Sequence, residues 1–181
     1  MTVGYQDVLV FWFDELTPQD WFNGGDDIDQ LIKERFAQVH SAAAQGELYT
    51  WRDSALGRLA EIIVLDQFSR NIARDTSQAF AADPMALVLA QEAVAGGYDH
   101  QLNDQQKSFL YMPYMHSESL VIHEQAVELF SQTGLEHNLD FEFKHKVIIE
   151  KFGRYPHRNQ ILGRVSTEEE LVFLQQPGSS F

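Results

Sequence analysis

The sequence contains no cysteine among its 181 residues. This absence excludes disulfide bonds, catalytic thiolates, thiolate zinc sites and iron–sulfur clusters. Basic residues are also scarce, because 13 Lys and Arg face 27 Asp and Glu, for a formal net charge of −14. A surface that neutralises phosphates needs an excess of positive charge. We therefore expect no general binding of nucleic acid.

Long apolar runs are missing as well. The apolar runs, among them residues 62–65 before Asp66, fall far short of the roughly 20 residues that a membrane-spanning helix needs. The first seven residues lack the basic start and the apolar stretch of a signal peptide. These absences predict a soluble, cytoplasmic protein that does not associate with a membrane.

Hydrophobic residues recur along nearly the whole chain with the 3.6-residue period of an α-helix, and no segment alternates with the period of a strand. Glycine, proline and capping residues separate the helical segments by short connections. Pro113 is expected to break or kink one of them. The predicted helices cover approximately residues 8–16, 28–43, 54–73, 83–95, 104–111, 119–130, 140–152 and 167–174. The predicted fold class is all-α, built from antiparallel helix pairs.

Length and composition predict one all-helical domain over residues 1–176, followed by a disordered tail over residues 177–181. One stretch has spacing similar to that of tetratricopeptide helix pairs, at Trp51, Leu56-Gly57, Ala79-Phe80 and Asp83-Pro84. A second clean copy is not visible. We therefore predict a tetratricopeptide-like helical array with degenerate repeats.

Polar side chains interrupt the apolar helix faces in two places within the first 120 residues. On the helix predicted over residues 54–73, Asp66 and Arg70 lie four residues apart in an apolar stripe, a spacing at which they can form an ion pair. His116 and Glu118 follow Pro113 near the start of the next helix. Burial is expected for the first pair, whereas Glu118 also suits the positive N-terminus of a helix.

A third polar group lies in a basic segment, residues 144–164. It holds six Lys and Arg against one Glu, a local charge of +5 that leaves −19 for the rest of the chain. Four of its polar residues fall within six positions: Arg154, His157, Arg158 and Asn159. His145 interrupts an apolar stripe in the same segment, where a satisfied core histidine is the structural alternative to a functional one. The interspersed apolar residues indicate that the segment is partly buried.

These groups belong to longer motifs: Asp66-Gln67-Phe68-Ser69-Arg70-Asn71, His116-Ser117-Glu118, Phe152-Gly153-Arg154-Tyr155-Pro156-His157-Arg158-Asn159, Leu162-Gly163-Arg164 and Ser166-Thr167-Glu168-Glu169. Their combination resembles the signature of a bacterial family, domain of unknown function 924, over nearly the whole chain. Two positions depart from it, with Ser69 in place of an expected proline and Tyr155 in place of an expected phenylalanine. The resemblance implies a tetratricopeptide-like, all-helical fold and brings no established activity.

The polar groups predict an inter-helix pocket for a small anionic ligand that bears a phosphate or a carboxylate, because guanidinium groups bind both. The candidate ligand-binding residues are Arg70, Asn71, Arg154, Arg158 and Asn159. The candidate acid/base residues, for a hydrolase-like reaction, are Asp66, His116, Glu118, His145 and His157. Neither a cofactor nor an oligomeric state follows from the sequence, and whether the protein is an enzyme stays open.

Three alternatives remain open at this point. The chain is a helical-repeat adaptor for a peptide or protein partner, in which the polar motifs are purely structural. The motifs form a buried ion network that fixes the packing. A divalent metal binds the nitrogen and oxygen atoms of His116, Glu118, His145 and His157, although no HExxH motif or His pair at i, i+4 aligns them.

Overall fold

The structure is a computed structural model that describes residues 3–180. In this range every regular element is helical, which confirms the all-α prediction. The helices are α1 (Tyr5–Val10), α2 (Pro18–Asn23), α3 (Gly25–Ala44), α4 (Ala55–Ile63), α5 (Ser69–Ile72), α6 (Asp83–Ala95), α7 (Asp104–Met115), α8 (Leu120–Phe130), α9 (Glu136–Phe152) and α10 (Glu168–Phe173). None of the helices between residues 3 and 180 has the length and apolar character needed to cross a bilayer.

Two π-helical turns and several 3-10 turns complete the architecture. One π turn, Phe11–Glu15, extends α1, and the other, Val64–Phe68, joins α4 to α5 as one longer helix. The 3-10 turns are Tyr49–Asp53, Ser77–Phe80, Tyr98–Gln101 and Pro156–Arg158. A π turn widens a helix locally and is frequent at functional sites. The second of these turns carries Asp66.

The composite helix from α4 to α5 is the central element of the fold. Leu59, Ile62, Ile63 and Phe68 along it are fully buried, because α4 packs against α1, α6 and α7 while the following π turn packs against α3. An apolar circumference of this kind is typical of a helix that is covered on most sides by the rest of the fold. The central helix therefore carries Asp66 into the interior.

Capping residues end the helices as the sequence indicates. The Thr167 side chain accepts a hydrogen bond from the Glu170 main-chain N–H at 3.2 Å, and the Glu170 carboxylate accepts one from the Thr167 N–H at 2.7 Å. This reciprocal capping box begins α10. Within the basic segment, α9 stops at Gly153, which adopts a φ of 67° that favours glycine.

Several helix boundaries differ from the sequence prediction, and two of them have a clear physical reason. Helix α7 continues through Pro113 to Met115, because residues 108–115 are all buried and their packing offsets the hydrogen bond that proline removes. Helix α9 begins at Glu136, four residues earlier than predicted. The Glu136 carboxylate accepts a hydrogen bond from the Gly134 N–H, which fixes the turn that precedes the helix.

The C-terminal segment packs back onto α9. Ile148, Ile149 and Tyr155 form a small second apolar cluster, against which Phe152 and Phe173 pack. Ser179 is buried, and its hydroxyl donates to the Leu174 carbonyl at 3.1 Å. Phe181, at the end of the predicted tail, lies outside the described residues. The predicted domain boundary at residue 176 stays a prediction.

Replacing Gly57 with alanine is expected to lower the free energy of unfolding by about 1–3 kcal/mol, the usual cost of overpacking. A Cβ atom at this position in α4 would lie 1.9 Å from the Trp51 carbonyl oxygen. Helix propensity alone predicts the opposite sign, since alanine is favoured over glycine by about 1 kcal/mol. The free energies of unfolding of the wild type and the variant, measured in urea, decide between these two expectations. A more stable variant would show that the turn at Trp51 moves aside freely.

Candidate functional site

Asp66 is the buried centre of the polar site. Its side chain is 1% exposed, and its Oδ1 lies 2.7 Å from His116 Nδ1 and 3.3 Å from Arg70 Nη1. Its Oδ2 accepts a hydrogen bond from Gln67 Nε2 at 2.6 Å. The Asp66 main-chain carbonyl also accepts from Arg70 Nη1, at 2.6 Å. The central helix and the end of α7 are thus joined at this carboxylate.

The charge states of Asp66 and His116 follow from their surroundings. Burial raises the pKa of Asp66, but the charges of Arg70 and His116 and the two side-chain hydrogen bonds outweigh it and hold the pKa well below its usual range. Burial, together with the charge of Arg70, lowers the pKa of His116. Near neutral pH, Asp66 is therefore ionised and His116 is neutral. An ionised carboxylate only accepts hydrogen bonds, so the imidazole proton lies on Nδ1.

His116 consequently presents its second nitrogen as a base. The described residues give no hydrogen-bond partner to His116 Nε2, and the side chain is 16% exposed. An aspartate that fixes the tautomer of a histidine, and leaves the other nitrogen able to accept a proton, is the arrangement used by general bases in many enzymes. The pair Asp66 and His116 has this geometry.

Asp83, at the first position of α6, connects the two arginines of the site. Arg70 donates to both carboxylate oxygens of Asp83, at 3.0 and 3.1 Å. Arg158 Nη1 lies 3.5 Å from one of the same oxygens. The sequence analysis treated Asp83 only as the start of a helix, since nothing in its neighbourhood along the chain indicated a partner 75 residues away.

Arg158 is held by aromatic rings more than by counter-charges. Its guanidinium carbon lies 4.6 Å from the ring centres of both Phe80 and Tyr155. The side chain is 8% exposed, and its Nε is buried without a hydrogen-bond partner among the described residues. Burial and the nearby charge of Arg70 lower the pKa of Arg158. Of the arginines in the site, Arg158 therefore has the most unused hydrogen-bonding capacity.

A cleft of about 360 Å³ opens between α6, the end of α7 and the turn after Pro156. Its polar lining consists of Ser77, Asp83, His116, Ser117, Glu118 and Arg158. Its apolar lining consists of Phe80, Ala81, Pro84, Leu87, Pro113 and Leu162. The cleft lies at the low end of the usual volume of small-molecule sites. His116, Glu118 and Arg158 all line this cleft. Asp66 and Arg70 do not line it, but they contact the lining residues His116 and Asp83.

Glu118 clamps the C-terminal segment to the cleft. It accepts hydrogen bonds from Arg164, at 2.6 and 2.9 Å, and from the Tyr155 main-chain N–H at 2.7 Å. Burial raises the pKa of Glu118, but the Arg164 and Tyr155 hydrogen bonds outweigh it and lower the pKa. The Tyr155 hydroxyl donates to the Met115 carbonyl at 2.6 Å. The turn that carries His116 is thus tied to the segment that carries Arg158.

A buried His–Glu pair, which was not predicted from the sequence, contacts the turn that carries His116. His123 and Glu142 are both fully buried, with His123 Nδ1 at 2.6 Å from Glu142 Oε1. The other nitrogen of His123 lies 2.8 Å from the Ser117 carbonyl oxygen. Burial raises the pKa of Glu142. The only available signal was that both residues fall on otherwise apolar helix faces.

Several predicted site residues lie outside the cleft lining. Arg154 forms an ion pair with Glu170 at 2.7 Å, and Asn159 donates to the same carboxylate at 3.2 Å. His145 and His157 lie against the Tyr155 ring, with ring centres 5.8 and 5.5 Å away. Asn71 donates to Asp29 at 2.8 Å and lines a separate concavity with Arg74. Arg154, Asn159 and Asn71 therefore contact carboxylates of the protein itself, away from the cleft.

A metal centre has no support in the geometry. Between residues 3 and 180, no group of three or more His, Asp or Glu side chains is placed to hold a metal ion. His116, Glu118, His145 and His157 therefore do not form the cluster that the metal alternative requires. These four side chains contact, respectively, a carboxylate, a guanidinium group, a main-chain carbonyl and an aromatic ring.

Comparisons with known proteins agree with the sequence motifs. The model of a family described as bacterial protein of unknown function (DUF924) matches residues 8–178. The chain is also similar to a solved structure, the protein of unknown function ATU0120 from Agrobacterium tumefaciens, at 36% identity and a TM-score of 0.89. That similarity covers 94% of this chain and 96% of the other. No curated protein matches. The chain belongs to the bacterial family of unknown function DUF924.

Proposed function

We propose that the protein binds a small anionic ligand in the cleft beside α6, with Arg158 as the principal cation and His116 as an acid/base group. The observation that carries the proposal is the state of Arg158, a buried guanidinium with one contact at 3.5 Å to a carboxylate and an unpartnered Nε. A buried charge that is incompletely paired is costly. An anion in the cleft supplies the missing partner.

The ion-network alternative accounts for the other arginines better than for Arg158. Arg70, Arg154 and Arg164 each contact both oxygens of a carboxylate. Such two-point pairs satisfy the guanidinium without a ligand. Arg158 differs because its guanidinium group contacts two aromatic rings and lines a cleft.

The geometry also supports proton transfer as the chemistry of the site. His116 Nε2 accepts a proton from a bound water molecule or from the ligand, and Asp66 stabilises the imidazolium that results. The Ser117 hydroxyl accepts a hydrogen bond from the Ser119 N–H at 3.2 Å, and in the described residues it has no hydrogen bond to a histidine. A water molecule activated by His116 is therefore the better nucleophile for a hydrolase-like reaction.

The adaptor alternative proposes a tetratricopeptide-like array with a groove for a peptide. A cleft of about 360 Å³ is suited to a small molecule, whereas repeat proteins bind peptides along extended concave surfaces. The buried position of the incompletely paired Arg158 guanidinium also favours a small ligand that enters the cleft.

The test is an NMR titration of the histidine ring protons with acetate and with inorganic phosphate as probes. At least one anion is expected to shift the His116 signals and to raise the pKa of His116, because a negative charge beside an imidazole stabilises its protonated form. Arg158→Met, which keeps an unbranched apolar stem and removes the guanidinium group, is expected to weaken this response at least tenfold.

Arg74→Met is the matched control. Arg74 is another guanidinium paired with a carboxylate, Asp29, but it lines the separate concavity. This variant is expected to respond as the wild type does. The proposal would be overturned if neither anion shifted the His116 signals, or if Arg158→Met responded as strongly as the wild type.

A further inference from the structure

We propose that the ligand of this cleft is a monocarboxylic acid with an apolar body, bound with its carboxylate at Arg158 and its hydrocarbon part along α6. This inference rests on the proposed function and narrows its substrate class. It follows from the division of the cleft into a charged side and an apolar side, and from the balance of charge around Arg158.

The apolar side of the cleft is formed by residues from three parts of the chain. Phe80, Pro84 and Leu87 come from the start of α6 and the turn before it, and Leu162 comes from the segment after Arg158. Leu87 is half-buried, while Pro84 and Ala81 are exposed. An inorganic anion leaves this wall in contact with water, whereas a hydrocarbon chain covers it, with a gain of about 25 cal/mol for each Å² removed from water.

The charge balance of the site favours a single negative charge on the ligand. Three guanidinium groups, from Arg70, Arg158 and Arg164, face three carboxylates, from Asp66, Asp83 and Glu118. Asp83 and Glu118 both line the cleft beside Arg158. A phosphate monoester, with a charge of about −1.5 to −2 at pH 7, meets two carboxylates and one incompletely paired cation. A monocarboxylate adds only one charge.

The shape of a carboxylate also matches a lone guanidinium. Arginine binds a carboxylate through two parallel N–H donors in one plane. The rings of Phe80 and Tyr155 lie 4.6 Å from the Arg158 guanidinium carbon, so they restrict the tilt of its plane. His116 lines the same cleft. Its ring signals are therefore expected to respond when a carboxylate binds at Arg158.

The test compares the dissociation constants of acetate, hexanoate, hexanamide and inorganic phosphate for the full chain, by NMR titration. Hexanoate is expected to bind at least tenfold more tightly than acetate, because its additional methylene groups cover the apolar wall. It is also expected to bind at least tenfold more tightly than the neutral hexanamide. Phosphate is expected to bind more weakly than hexanoate.

Two α6 variants locate the hydrocarbon. Leu87→Ser is expected to reduce the preference for hexanoate over acetate at least threefold, through weaker binding of hexanoate. Val88→Ser is the control, because Val88 is the next residue on the same helix, is 55% exposed and does not line the cleft. A preference that survives Leu87→Ser unchanged would overturn the assignment of the apolar wall.

The outcomes separate this inference from the proposed function. Equal binding of acetate and hexanoate, or tightest binding of phosphate, would overturn the monocarboxylate class and leave anion binding in place. Binding of hexanamide as tight as that of hexanoate would overturn the role of the charge. A failure of every anion to bind would overturn both proposals.

Discussion

Asp66→Ala is expected to lower the free energy of unfolding by about 3–5 kcal/mol, the usual cost of removing one partner from a buried ion pair. The substitution leaves Arg70 with one carboxylate in place of two and leaves His116 Nδ1 without its acceptor. It also deprives Gln67 of its acceptor at 2.6 Å. Urea unfolding monitored by circular dichroism measures the change.

Two further variants make this expectation specific. Asp66→Asn keeps the size of the side chain and removes its charge, so an intermediate loss is expected. Lys146→Ala breaks an ion pair with Glu150, whose side chain is 46% exposed, and exposed pairs of this spacing contribute about 0.3–0.5 kcal/mol. A loss for Asp66→Ala no larger than that for Lys146→Ala would contradict the central position assigned to Asp66.

The second large effect is a loss of folding stability as the pH is lowered. Burial lowers the pKa of His145 to about 3 in the folded protein, whereas an unfolded chain restores a value near 6.5. The unfolded state therefore binds more protons below pH 6.5, and stability falls as the pH falls from there toward 3. From His145 alone, the loss between pH 7 and pH 5 amounts to about 2 kcal/mol.

Other buried groups modify the acid response. His40, His116 and His157 all have a pKa lowered chiefly by burial, so they add to the loss over the same range. Glu142, whose pKa is raised by burial, acts in the opposite direction. The ionised state of Asp66 is lost only at more acidic pH, because its pKa is lowered.

Unfolding free energies measured at pH 7, 6 and 5 check this prediction. His145→Gln is expected to flatten the dependence by about 2 kcal/mol, the contribution of one buried neutral histidine. His100→Gln is the control, because the His100 side chain is 77% exposed and experiences similar solvent in both states. A stability that is constant from pH 7 to pH 5 in the wild type would contradict the neutral, buried state of His145.

Local chemistry explains why much of the fold is predictable from the sequence. The capping box at Thr167 and the glycine at position 153 act within one helical turn, so their residues alone specify where a helix begins or ends. The apolar circumference of α4 similarly identifies the central helix. Pro113 was misleading because the packing of residues 108–115, a tertiary effect, overrides the local preference of proline.

The site was predictable only in part, because pairing across the fold is not encoded locally. Asp66 was found because it interrupts an apolar stripe, His116 because it follows Pro113 near a helix start, and Arg158 because it lies in the basic segment of an acidic chain. Asp83, by contrast, stands at a helix start, where an acid has a sufficient local reason. Its contacts with Arg70 and Arg158 depend on how α6 packs beside the central helix. The same limit applies to Glu170, which serves both a capping box and Arg154.

The pairing of the basic segment has a consequence for how a ligand arrives. Lys146, Lys151, Arg154 and Arg164 are each joined to a glutamate, and the chain as a whole carries −14. An anion that approaches from a distance therefore meets a repulsive field, which salt screens beyond about 10 Å. The anion that we propose for this cleft would be attracted only at contact range, by Arg158. Its recognition would then depend on fit and on desolvation, without electrostatic steering.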